Sequence, residues 1–237
     1  MKKLIASFAL SAFFISTAAL HAQTADEVIA KYVDAIGGKE KLSQVKSLYT
    51  ETAIQVMGND APATTTILNG KGVKTEMDFN GAKMIQCFTE QGGWAINPMN
   101  GGAGAEKMPD EIYKQGKEQY EIGGPLYDYA AKGNKVELLG KDAKSFTIKV
   151  TSKDNVVSTF DIDAATYYIT KLVKKGNMMG QEVEVTMAFS DYKKTDFGLA
   201  IPYTIETKLG DQFSLTATVK KAEVNKTIDP AIFNMPK

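Results

Sequence analysis

The chain of 237 residues contains no arginine, a single histidine and a single cysteine. The histidine is His21, which lies within the first 22 residues, so the remainder of the chain has neither histidine nor arginine. Without histidine there is no Ser-His-Asp or Cys-His nucleophile pair, and the commonest transition-metal ligand is missing. Without arginine there is no planar, bidentate clamp for a carboxylate or phosphate. One cysteine, Cys87, cannot form an intramolecular disulfide. Its setting in the strand-like stretch AKMIQCFTEQ predicts a buried, inert thiol. The formal net charge is zero, so nucleic acid is not an expected partner. No catalytic residues, metal ligands or cofactor site are assigned.

The first 22 residues have the form of an export leader. Lys2 and Lys3 precede an uncharged apolar run from Leu4 to Leu20, and His21-Ala22-Gln23 offers a small-residue cleavage point after Ala22. No cysteine follows that run, so a lipid anchor is not expected. The expectation is a periplasmic protein of residues 23–237, about the size at which one hydrophobic core still suffices.

In TADEVIAKYVDAIGG, Thr24 and Glu27 form a capping-box pattern, Val28, Ile29, Tyr32, Val33 and Ile36 make one helical stripe, and Gly37-Gly38 ends it. Leu42, Val45 and Leu48 suggest a further short helical turn. From Leu48 onward the apolar period becomes two. Val73, Thr75, Met77 and Phe79 share one face of GVKTEMDFNG, and similar alternation recurs in SFTIKV, QEVEVTMAF, YTIETKL and FSLTATV. Asn69-Gly70 and Asn80-Gly81 are two-residue hairpin signals, because a type I′ turn needs positive φ at both central positions. Nine to eleven antiparallel strands with one apolar face must close, stack or be covered by helices.

The strand pattern is interrupted between Gly92 and Asn134. A Gly-rich connector, NPMNGGAGAEK, leads to MPDEIYKQGKEQYEI, where Ile112, Tyr113, Gly116 and Tyr120 share a helical face. In EIGGPLYDYAAKG, Pro125 and Gly133 suit the start and end of a second amphipathic helix carrying Leu126, Tyr127 and Ala130.

Three stretches, IAKYVDAIGGKEKLSQVKSL, GGPLYDYAAKGNKVELLGKD and SDYKKTDFGLAIPYTIETKLGD…VNKTIDPAIFNMP, resemble the LolA/LolB-like periplasmic lipoprotein-carrier superfamily. The resemblance spans nearly the whole chain after the leader. It implies an α+β fold in which a strongly curved antiparallel sheet forms a half-open β-barrel capped by short helices. The implied layout is one such domain at 23–237, with a helical lid insert near 107–133. It also implies an apolar cavity for acyl chains or another hydrophobic ligand. The family's lipoprotein carrier holds its lid with an arginine, and its lipoprotein receptor is lipid-anchored. This chain has no arginine for the first role and no anchoring cysteine for the second.

On this reading Trp94, Tyr113, Tyr120, Leu126 and Tyr127 either line the cavity mouth or fill the barrel. Met178 and Met179, in the hairpin-like KKGNMMGQ, and Met187 are candidate rim or wall residues, because flexible thioethers adapt to varied apolar ligands. Met84, Met99 and Met108 belong to the same methionine set. Asp161 and Asp163 point to one side of a strand but read more simply as turn chemistry. The expected partner is a hydrophobic small molecule or an acylated protein, with transient membrane contact and a monomeric state. The competing functions are an envelope interaction or sensor module of the same fold, and an enzyme limited to Asp, Glu, Ser, Tyr and Lys.

Overall fold

The computed structural model describes residues 23–56, 58–100, 104–178, 181–211 and 213–236. The expected export leader (residues 1–22), Met179 and residues 101–103 lie outside them. Two short helices, α1 (Ala25–Ala35) and α2 (Lys39–Gln44), come first. In α1 the Thr24 hydroxyl accepts from the Glu27 amide at 3.2 Å, and the Glu27 carboxylate accepts from the Thr24 amide at 3.1 Å, so the capping box is formed. Val28, Ile29 and Tyr32 are buried along one stripe. Full burial of each aliphatic side chain contributes about 1.5–3 kcal/mol.

The strands then run outward as a meander: β1 (Ser47–Val56), β2 (Asn59–Leu68), β3 (Gly72–Phe79), β4 (Ala82–Thr89), β5 (Gly92–Ile96) and the short β6 (Glu106–Lys107). A crossover containing α3 (Asp110–Gly116) and a 3-10 turn (Lys117–Tyr120) leads to the second meander. Its strands are β7 (Lys135–Lys141), β8 (Ser145–Thr151), β9 (Val157–Asp163), β10 (Ile169–Met178), β11 (Gln181–Lys194), β12 (Ala200–Leu209) and β13 (Phe213–Val224). A final 3-10 turn covers Pro230–Phe233.

All thirteen strands form one antiparallel sheet ordered β6-β5-β4-β3-β2-β1-β13-β12-β11-β10-β9-β8-β7. The last strand pairs with the first, Leu48 opposite Val224. The ladder is continuous everywhere except between β6 and β7, and that is the gap the crossover spans. The sheet is therefore a barrel left open along one line. The count exceeds nine to eleven because β6 has two residues and β2 (NDAPATTTIL) is too poor in large apolar side chains to show the alternation. Pro62 sits in β2 opposite Ala53, just beyond the point where pairing with β3 stops at Ala63, so its missing N–H costs no bond on that side.

Two local expectations are corrected. Asn80-Gly81 forms the two-residue turn with both φ positive, at 54° and 83°. Asn69-Gly70 instead belongs to a three-residue connection closed by Lys71, because the Asn69 side chain is committed to neighbouring segments. The stretch 121–133 is a succession of turns rather than a helix. Gly123, Gly124 and Asp128 adopt φ of 91°, 65° and 49°, and each left-handed residue ends a right-handed run before a second helical turn can form.

The main core packs α1, α2, Ile122 and Leu126 against the inward side chains of β8 and β9, namely Phe146, Ile148, Val150, Phe160 and Ile162. A second cluster of Ile85, Cys87, Trp94 and Phe233 lies on the opposite face of the sheet, under the C-terminal 3-10 turn.

Candidate functional site

Antiparallel partners point to the same side of a sheet, so the pairing register identifies the inner face. One row runs from Phe160 through Leu172, Met187 and Thr207 to Leu215. The next holds Lys174, Val185, Leu209 and Phe213. The inner face divides into two halves. Under α1, Phe146, Ile148 and Val150 are buried. Along β11–β13, Val185, Met187, Phe189, Ile205, Leu209, Phe213 and Leu215 are only half-buried although all are apolar. An apolar trough is thus built into the concave side. At the β1–β5 wall it continues into a cavity of about 460 Å³ bordered by Ile54, Thr75, Met77, Met84, Gln86 and Leu215, with Met108 and Ile112 of the crossover at its mouth. That volume is within the usual range of ligand cavities.

A wider groove of about 960 Å³ lies at the sheet edge, between β5, the start of α3 and the C-terminal segment. Trp94, Met108, Tyr113 and Phe233 line it together with Lys71, Glu90, Lys107 and Asp110, so it brings Trp94 and Tyr113 to one groove; the inner cavity likewise has charged borders, at Glu106 and Lys107.

The crossover is fastened on both sides. Toward β4, the Tyr113 hydroxyl donates to the Thr89 carbonyl at 2.6 Å, and Phe88 packs so closely on Gly116 that a Cβ there would overlap its ring. Toward the β2–β3 turn, the Gly70 amide donates to the Tyr120 carbonyl at 3.1 Å and the Ile122 amide to Oδ1 of Asn69 at 2.9 Å; Nδ2 of Asn69 donates to the Val45 carbonyl at 3.0 Å. Toward the opposite wall, Lys117 pairs with Asp154 in the β8–β9 turn, and Nζ of Lys174 on β10 donates to the Gln115 carbonyl at 3.1 Å. Burial pushes the Lys174 ammonium pKa down, opposed by the Glu118 carboxylate, while burial pushes Glu118 itself up.

The residues singled out in the sequence fall into three places. Leu126 is in the main core at 1 % exposure, with Tyr127 packed beside it. Tyr113 and Tyr120 belong to the crossover's attachments, and burial raises the Tyr120 hydroxyl to about 12. Trp94 stands opposite Cys87 on the outer face and donates from Nε1 to the Phe233 carbonyl at 2.8 Å, so the structure does not bring it together with Leu126. Met187 lies on the trough wall, Met178 is the last residue of β10, and Met179 is outside the described residues. Cys87 is buried, and desolvation raises its thiol to about 11, as expected of an inert cysteine. Asp163 accepts from the Ala165 and Thr166 amides as an ordinary turn residue, and Asp161 accepts from the Thr147 hydroxyl.

Sequence reasoning did not single out Asn69 or Lys174. Asn69 carries a local signal, the Asn-Gly pair, which speaks for turn chemistry and not for its long-range hydrogen bonds. Lys174 could have been found as the charged member of the alternation Leu172, Lys174, Gly176. Among the described residues no group of three or more His, Cys, Asp and Glu side chains is placed to hold a metal, and no helix is long and apolar enough to cross a membrane.

No protein-family model matches the chain, and no curated protein matches it. Solved structures do. A DUF1329 family protein from Desulfovibrio piger aligns with TM-score 0.59 at 13 % identity, over 90 % of this chain and 98 % of its own. A LolA superfamily protein from Nitrosomonas europaea aligns with TM-score 0.57 at 10 % identity, over 90 % and 98 %. A putative outer membrane lipoprotein-sorting protein domain from Vibrio parahaemolyticus gives 0.54 at 14 %, over 88 % and 95 %. At these identities the likeness is one of fold: the open thirteen-stranded sheet with its few short helices is the LolA-like half-barrel.

Proposed function

We propose that the protein is a periplasmic carrier or binding protein for a hydrophobic ligand, which it holds between the β11–β13 wall and the crossover. The observation that supports this is the contrast along the inner face: the β8–β9 wall is sealed by α1, while the equally apolar wall of β11–β13 is left half-exposed. Apolar surface of this extent on a concave wall is a binding feature more often than an accident of packing. The crossover acts as the lid, and the ligand is held by burial, with no reaction. The solved lipoprotein-sorting domain of the same fold is consistent with a lipid or lipid-modified protein as the ligand class.

The test is uptake of Nile red, a neutral apolar dye, by wild type and by Met187→Glu and Leu215→Glu. Both positions are half-buried, so a charge there leaves the main core intact. Each substitution is expected to weaken dye binding at least tenfold while the thermal midpoint stays within a few degrees. Unchanged dye affinity in folded variants would overturn the reading and favour an interaction module acting through a protein partner.

A further inference from the structure

The inward positions of β10–β13 named above are apolar or neutral with one exception, Lys174. An ammonium placed on an apolar wall is costly unless its protons are satisfied. Lys174 has three donors, and the structure assigns one of them, to the Gln115 carbonyl at 3.1 Å. It takes part in none of the salt bridges among the described residues. Gln115 lies three residues beyond Ile112, which borders the inner cavity, or about 4.5 Å of rise along α3. The cation thus stands beside the inner cavity and bonds to a neutral carbonyl; the Glu118 carboxylate of the crossover acts on its charge but makes no ion-pair contact with it.

Resting on the carrier reading, we propose that the ligand is a single-chain amphiphile with an anionic end group, its chain in the trough and its anion on Nζ of Lys174. A carboxylate or phosphate oxygen makes a stronger, charge-assisted bond than a peptide carbonyl. On binding it replaces the Gln115 carbonyl. The same event removes the bond from β10 to α3, so the ligand's charge loosens the crossover that its chain must pass. The far wall and the crossover are then linked through the cargo, and Lys174 selects among cargoes of equal chain length.

The experiment is competition against Nile red by dodecanoate, dodecyl phosphate and 1-dodecanol at neutral pH, on wild type, Lys174→Met and Lys174→Arg. In wild type both anions are expected to displace the dye at concentrations about tenfold or more below the alcohol. Lys174→Met should erase that preference, so that the three competitors displace the dye at similar concentrations; Lys174→Arg should retain the preference. The ranking of dodecanoate against dodecyl phosphate distinguishes a free fatty acid from a phosphate-headed lipid as the natural source. Equal potency of all three in wild type, or an anion preference that survives Lys174→Met, would overturn this inference while leaving the carrier reading intact. Failure of wild type to bind Nile red at all would overturn both.

Discussion

Asn69 joins three parts of the chain through one amide group. Its Oδ1 accepts from Ile122 and its Nδ2 donates to Val45, both in buried surroundings. Truncation to alanine would leave a buried N–H and a buried C=O without partners, and an unsatisfied buried polar group costs about 1–3 kcal/mol. Asn69→Ala is therefore expected to lower stability by about 2 kcal/mol or more in denaturant titration, with Asn69→Asp intermediate because it keeps the acceptor and loses the donor. A loss below about 0.5 kcal/mol would mean that water replaces the side chain. The same residue marks a limit of sequence reading at this scale. Its Asn-Gly pair announced a turn in the right place but one residue too short, and the side chain's long-range partners, in segments more than 20 residues away, leave no local trace.

The crossover shows how an element can be fastened and still lack a regular form. α3 and the 3-10 turn after it were legible from Ile112, Tyr113 and Gly116 at helical spacing, whereas the stretch from Glu121 to Gly133 was not. Pro125 and Gly133 there imitate helix punctuation, but Gly123, Gly124 and Asp128 take left-handed backbone, while Leu126 and Tyr127 between them pack into the core. Of the groups on this element, Glu118 carries the clearest pH consequence. Burial raises its folded pKa above the unfolded value, so the folded state holds its proton more tightly. Stability from this group is fully present below the unfolded pKa and is lost as pH rises through the folded one. Glu118→Gln should therefore raise the thermal midpoint at neutral pH and have no effect near pH 4. A midpoint unchanged at both would show that Glu118 is solvated when the crossover is in place.

At the scale of the whole molecule the two faces of the sheet are sealed by different pieces of chain: α1 and the crossover inside, the C-terminal segment outside. Trp94, the only tryptophan, reports on the outer seal, since Phe233 supplies both its packing and its acceptor. Deleting residues 227–237 is expected to shift Trp94 emission to the red and expose Cys87 to thiol reagents, while Nile red uptake on the opposite face is retained. An unshifted emission would show that the segment is not docked in solution. The half-barrel as a class was legible in the alternation of its strands and in the shortage of helices. Which wall would be left uncovered was not, because SFTIKV and FSLTATV alternate alike and differ only in what the fold lays over them.

The pairing of the last strand with the first has a mechanical side. Leu48 and Val224 are partners, so the entry to β1 and the exit from β13 lie at the same end of one ladder. Once the helices and the C-terminal turn have let go, tension applied to the two ends parts that ladder one rung at a time, as a zipper opens, instead of loading every bond together in shear. The half-barrel would then tear along the seam farthest in the strand order from its natural slit, and two smaller meanders would separate under modest force.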